Sequence, residues 1–551
     1  MSMLLMLIPA LPILLALAAL SGQIGRHGAN VGVMLTSALA LLVVLLDPAP
    51  LALPWLLLGT HLALDELSRV LLFCAALLWP AATLAAGELF AGRDGRRFGM
   101  SWLFTMAGNL GMLLSQDLAS FYLCFAVMTF SAYGLVVHKA GNEAFRAGRV
   151  YLVLSIFGES LLLAGIFLLA AEGGNPAVTD IPEVFAGMDR PQLAGSLLMA
   201  GFAVKMGVIP LHVWLPLAHP AAPVPASAVL SGLLVKGGLV GWLRFLPDQE
   251  TALQTAADLL LILGLTGAFA AALVGSLQQR PKTVLAYSTV SQMGLLTVPV
   301  ALVLGGRAET QTMLPLIALF AGHHALAKGA LFLSVDHWHG GRWRQLLIVI
   351  AALGIAGLPL TGGLVAKAAL KSATAAPLPL LITLSSITTS LLLLRFLQQL
   401  SADPGQGNRL PAFVTAAWGL VLAAALLLPW VLADPTVLGY ALSGAGLRDA
   451  VWPLLLALGV ALMLRRRRLP TIPEGDLVAP IECALRHIKA LLQRSIGAID
   501  PQDLQQRLIA SVRPQRRFRV ALARWSMTGE QQSLAAVAII AMVLLLLLLL
   551  T

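Results

Sequence analysis

Runs of apolar residues long enough to cross a bilayer, joined mostly by short polar loops, recur from one end of this chain to the other. A spanning helix needs about 20 apolar residues. About sixteen stretches qualify: 3–21, 29–46, 65–87, 100–115, 118–137, 150–171, 194–212 and 226–246, then 255–277, 283–304, 312–334, 346–370, 377–397, 411–433, 450–464 and 533–550. The pattern predicts an all-α polytopic membrane protein. The first stretch has no basic leader and no obvious cleavage site, so it reads as a retained helix.

Composition sharpens this. With 58% hydrophobic and 11% charged residues over 551 positions and a mean hydropathy of +0.87, the chain carries more aliphatic surface than one core could hide, which excludes a soluble enzyme. Cys74, Cys124 and Cys483 are scattered, with no CxxC or Cys/His pair, so no disulfide framework, zinc site or iron–sulfur site is written here. Any redox chemistry then belongs to a partner, and no catalytic, cofactor or metal site is expected in this chain. A formal net charge of +10 could suggest nucleic acid, but in a membrane protein it first reports topology.

Alternating loops segregate their basic residues. One set holds Arg26, Arg93, Arg96, Arg97, Lys139, Arg146, Arg149, Arg280, Lys282, Arg342, Arg344, Arg395, Arg409 and the run Arg465 to Arg468. The opposite set holds only Arg190, Arg244, Arg307, Lys371 and Arg448. The positive-inside rule therefore puts the N-terminus outside and the first set in the cytoplasm. From 469 to 532 the chain is too polar for the bilayer core. Apolar residues still recur there at helical spacing, and Arg513, Arg516, Arg517, Arg519 and Arg524 follow. This predicts an amphipathic segment on the cytoplasmic surface that grips anionic lipid or a partner's flank, before an anchor helix at 533–551.

An ionisable residue inside a span is costly and is a functional candidate by default. Glu159 sits in LSIFGESLLLAGIF, and Lys205 lies five residues before Pro210, where a helix must distort. Lys236 is surrounded by Gly232, Gly237, Gly238 and Gly241. His324 and Lys328 are four apart and share a helix face. Lys367 follows GIAGLPLTGG, whose Pro359 and glycines mark a discontinuous helix lining a wet cavity. A lysine out of water holds its proton less firmly, and neighbouring charges reset that hold. A row of Lys and His across successive helices is therefore suited to relaying protons rather than binding an organic solute. His212 and His219 bracket a Pro-rich turn and are candidates for gating, capping or proton exchange.

The stretch FAVKMGVIPLHVWLPLAHPAAPVPASAVLSGLLVKGGLVGWLRF from Phe202 resembles the signature of the antiporter-like proton-translocating subunits of respiratory complex I, membrane-bound hydrogenases and multisubunit cation/proton antiporters. HLALDELSRVLLF from His61, DLASFYL from Asp117, PKTVLAYSTVSQMG from Pro281, HALAKGALFL from His324 and GLPLTGGLVAK from Gly357 match in order. The resemblance implies a fourteen-helix core with two inverted five-helix repeats, each containing a broken helix. Here that gives N-terminal helices at 1–117, a first repeat at 118–246 with its break near Pro210, and a linking helix at 247–282. A second repeat follows at 283–433 with its break near Pro359, then an additional helix with the basic run at 434–468.

By matching positions, Lys205 resembles the charge-pair lysine, Lys236 the end of the first half-channel, Lys328 with His324 the central relay, and Lys367 the exit-side residue. Relatives usually carry a Glu in the fifth span, where this chain has Ala126; Glu159, one helix later, is expected to replace it. The resemblance implies a proton-translocating subunit of a redox-coupled complex in a bacterial inner membrane, with other membrane subunits as partners. The alternative is a subunit of a cation/proton antiporter, with Na+ as a further cation, or of a proton-driven bicarbonate or CO2 uptake system.

Overall fold

The computed structural model describes residues 1–20, 26–248, 251–403, 410–464 and 470–475. Arg465 to Arg468, nearly all of the surface segment and the anchor helix lie outside the described residues. The chain begins with α1 (Met3–Leu20) and α2 (Arg26–Leu46), then a two-stranded antiparallel hairpin, β1 (Leu51–Leu53) and β2 (Thr60–Leu62). Next come α3 (Glu66–Ala86), α4 (Gly92–Leu114), α5 (Leu118–Val136), α6 (Asn142–Gly173) and the short α7 (Ile181–Gly187). A broken helix follows, α8 (Pro191–Met206) and α9 (Trp214–Ala221), then α10 (Val224–Val229) and α11 (Lys236–Phe245). After α12 (Gln254–Ser276), α13 (Pro281–Leu304) and α14 (Thr310–Leu333) comes a second broken helix, α15 (Arg342–Ala356) and α16 (Gly362–Ser372). The remainder is α17 (Leu378–Ala402), α18 (Ala412–Leu432), α19 (Pro435–Leu442) and α20 (Gly444–Leu464).

Among the described residues, eleven helices are long and apolar enough to cross a membrane. The least apolar of them are the most buried. The most apolar window of α13 has a mean hydropathy of only 1.4 yet is wholly buried, and that of α14 stands at 1.5 and 94% buried. In α6 the mean is 2.3 with a third buried. The central helices can afford polar side chains because protein rather than lipid surrounds them.

Both helix breaks have one stereochemistry. α8 ends where Gly207 takes a left-handed φ of 71°, with Val208 N–H donating to the Ala203 carbonyl. α15 ends where Gly357 has φ 100°, and Leu358 N–H donates to Leu353. These are Schellman closures, which a glycine permits without strain. The sequence places the breaks near Pro210 and Pro359; the chain leaves the helix earlier, at the glycines, and the prolines lie inside the opened segments.

The fold is helical throughout the described residues apart from this short hairpin. The hairpin pins two helix starts at one end of the bundle. His61 N–H donates to Asp117 at 2.8 Å, while Asp117 caps α5 through Ser120 N–H. Asp65 caps α3 in the same way through Ser68 N–H at 2.7 Å. The matched motifs at His61 and Asp117 thus act together as a capping device.

Candidate functional site

Lys205 occupies the last turn of α8, where helix carbonyls favour a cation. Its Nζ donates to Thr129 Oγ1 at 2.9 Å and lies 5.4 Å from the centre of the Phe125 ring. Glu159, on α6, is brought alongside because α6 and α8 meet through glycines: a Cβ at Gly201 would stand 2.9 Å from the Gly158 carbonyl. Glu159 and Lys205 are both 6% exposed and lie within electrostatic reach of each other, yet they form no direct ion pair. Neither carboxylate oxygen of Glu159 has a hydrogen-bond partner among the described residues. Both side chains line a cavity with Thr129, Tyr151 and Trp214 whose room for the centre of a water molecule is about 10 Å³. That is space for about one bridging water.

Lys236 opens α11 one residue after a π-helical turn at Leu230–Leu234. Lys236 Nζ donates to the Ser231 carbonyl at 2.8 Å and meets His324 Nδ1 at 2.7 Å. Beside them Ser231 Oγ and Thr289 Oγ1 are 2.7 Å apart. One turn along α14 from His324, Lys328 is wholly buried, and among the described residues its Nζ donates only to the Leu285 carbonyl, at 3.1 Å. Lys367, in α16, donates back to the Ala356 carbonyl at 3.0 Å, the last residue of α15, and to Ser386 Oγ at 2.7 Å. A lysine thus holds the carbonyl end of the second broken helix, as Lys205 stands at that of the first.

The structure brings Lys236, His324 and Lys328 into one cluster and keeps Glu159 with Lys205 in another; no hydrogen bond joins the two among the described residues. His212 and Pro210 lie in the first break, His212 buried with its ring centre 6.2 Å from that of Tyr287. His219, in α9, stacks on Phe332 at 4.7 Å with no hydrogen-bond partner on either nitrogen among the described residues. Pro359 lies in the second break. Lys371, one turn past Lys367, reaches Asp449 at 3.4 Å, and Tyr440 donates to the same carboxylate at 3.0 Å.

Arg244, which loop charge alone assigns to the outer set, is buried in the last turn of α11. Its guanidinium pairs with Asp65 at 2.5 Å and donates to the carbonyls of Met112, Leu113 and Ser115, capping the end of α4. Burial pushes the Asp65 carboxyl up, but Arg244 and the Ser68 N–H overcome this and hold it at about 2. The only signal in the sequence was an arginine within an otherwise apolar helix end.

A multi-pass helical bundle with two broken helices and buried lysines at helix ends defines a class of polytopic membrane protein. Residues 115–392 match the transmembrane family described as NADH:quinone oxidoreductase/Mrp antiporter, and the chain belongs to that family. Hydrogenase-4 component B of Escherichia coli (strain K12) is 27% identical over 336 residues, covering 56% of this chain and 50% of the relative. The chain thus spans about half the length of that relative. Among solved structures, a chain of the archaeal membrane-bound sulfane sulfur reductase superposes with a TM-score of 0.66 at 19% identity, over 83% of this chain and 99% of that one. A chain of the Mrp complex from Dietzia sp. DQ12-45-1b does so with 0.65 at 20%, over 99% of this chain and 63% of that one. Both show the fold.

Proposed function

We propose that this chain is a proton-translocating membrane subunit of a multisubunit redox-coupled complex, complex I-like or hydrogenase-like, in a bacterial inner membrane. The observation that carries the reading is the 2.7 Å contact between Lys236 and His324, buried at the centre of the bundle with Lys328 one turn away. Two basic groups at that distance cannot both be fully protonated, so one proton is shared or absent, and its position follows nearby charge. Glu159 with Lys205 is the switching pair, joined through the small cavity, and Lys367 is the exit-side carrier. His212 and His219, with Pro210 and Pro359, form the gating elements at the breaks.

The order of elements supports two repeats. Two long helices, a broken helix and a further span occur as α5, α6, α8–α9 and α10–α11, and again as α13, α14, α15–α16 and α17. The end of the bundle holding Glu143, Arg280 and Glu474, where Arg280 pairs with both carboxylates, is the cytoplasmic one, because the basic loops gather there. The N-terminus is then outside. A second reading, a subunit of a cation/proton antiporter, is favoured by the likeness to the Mrp complex over nearly the whole chain.

Lys236→Met, which fills the space without needing solvation, tests the reading in the chain copurified with its native partners and reconstituted in liposomes. Proton transport is expected to be abolished while assembly is retained. Near-normal transport in that variant would remove Lys236 from the relay.

A further inference from the structure

Besides Lys236, His324, Lys328 and Lys367, two more buried histidines among the described residues of this half of the bundle have no assigned role, His323 and His337, and of the two it is His323 that has Lys367 as an electrostatic neighbour. His323 is 4% exposed, on the face of α14 that meets α16 and α18. Its Nδ1 lies 2.9 Å from the Ala425 carbonyl. A carbonyl only accepts, so Nδ1 carries the hydrogen and Nε2 of the neutral ring presents a bare lone pair. Nε2 has no partner among the described residues. It faces the first turn of α16 with no side chain between, since a Cβ on Gly363 would stand 3.1 Å from it. Lys367 follows one turn later on the same short helix.

Electrostatic neighbours arrange these groups in series. His324 lies within reach of Lys236, Lys328 and His323. His323 lies within reach of Lys367. Lys367 is followed by Lys371, which pairs with Asp449. A parallel line of neutral groups also crosses this region: Ser231 to Thr289, Gln292 Nε2 donating to Thr389 Oγ1 at 3.3 Å, and Ser386 to Lys367. That line breaks between Thr289 and Gln292 and between Thr389 and Ser386, and an amide is a poor acceptor of a net proton.

We infer that His323 is the proton-carrying link between the Lys236–His324–Lys328 cluster and Lys367. The inference rests on the reading that the lysine row moves protons. A proton leaving the Lys328 ammonium or the His324 ring, directly or through water, binds at His323 Nε2; the donor loses one positive charge and His323 becomes imidazolium. Nδ1–H stays on the Ala425 carbonyl throughout. The same Nε2 proton then passes to a neutral Lys367 amine, which becomes ammonium as His323 returns to its neutral form. Entry and exit at one nitrogen make the step depend on whether Lys367 is vacant, a device that hinders free leakage.

The test uses the chain in its native complex reconstituted in liposomes, with His323→Gln as the principal variant. Glutamine can still donate to the Ala425 carbonyl but lacks a basic nitrogen, and His323→Asn serves if the Gln variant does not accumulate. Steady proton transport is expected to fall at least tenfold. After a rapid pH jump, the early charge displacement within the cluster persists, and the later phase that Lys367→Ala also removes is lost. Normal transport in His323→Gln beside a defective Lys367→Ala overturns the inference, as does loss of both phases, which marks a structural role. Loss of the later phase in Gln292→Leu with its retention in His323→Gln assigns the link to the neutral line instead and also overturns it. If Lys236→Met and Lys367→Ala both transport normally, the underlying lysine reading fails, and this inference with it.

Discussion

Replacing Arg244 by Gln should strip a clamp from one end of the bundle, and the structure sets the size of the effect. The guanidinium makes two hydrogen bonds to Asp65, at 3.0 and 2.5 Å, and one each to Ser68 Oγ and the carbonyls of Met112, Leu113 and Ser115. Breaking a buried ion pair by removing one partner costs about 3–5 kcal/mol. Asp65 is a third exposed, so water repairs part of its loss, and Gln can keep one carbonyl contact. The expected cost is therefore near the lower bound, about 3 kcal/mol, or roughly two decades in the unfolding equilibrium. Equilibrium unfolding in mixed micelles with increasing SDS measures it, with Asp65→Asn and the double variant completing a cycle. The two changes should be non-additive by at least about 1 kcal/mol. The Asp65 carboxyl lies below its ordinary value of 3.8, at about 2, so its contribution is fully present above about pH 4 and is lost as pH falls toward 2. Additivity within about 0.5 kcal/mol, or an unfolding midpoint indifferent to acid over that window, would refute the clamp.

Three further outcomes follow from the geometry. Glu159→Gln should impair proton translocation at normal protein level, since it removes the one carboxylate in the cavity with Lys205; full coupling in reconstituted vesicles rejects its place in the switching pair. Gly201→Leu, whose Cβ would stand 2.6 Å from Leu162 Cγ, should force α6 and α8 apart. About 1–3 kcal/mol of stability and the Glu159–Lys205 coupling should be lost, and an unchanged unfolding curve counts against that close approach. In a Cys483→Ser background, Glu474→Cys should react with an impermeant maleimide in inside-out vesicles only, and labelling from the outside alone would reverse the topology.

The spans were legible in the sequence because a helix in lipid satisfies its backbone within its own segment, so an apolar run of sufficient length is enough to specify it. The two breaks were legible for the converse reason, since Pro210 and Pro359 remove donors where a helix needs them. Motif order located Lys205, Lys236, His324, Lys328 and Lys367. Which of these touch was decided only in three dimensions: Lys236 meets His324 across 88 positions, and Arg244 meets Asp65 across 179. An apolar run does not say which helices end up at the centre, and only central burial turns Arg244 from an outer-loop charge into a clamp. The same applies to Glu159 and Lys205, whose separation by a small cavity depends on how closely glycines let α6 and α8 approach. The setting of His323 depends on packing in the same way. One residue along α14 from His324, it points about 100° away, and the packing of α16 and α18 on that face, absent from any local pattern, gives its free nitrogen something to face.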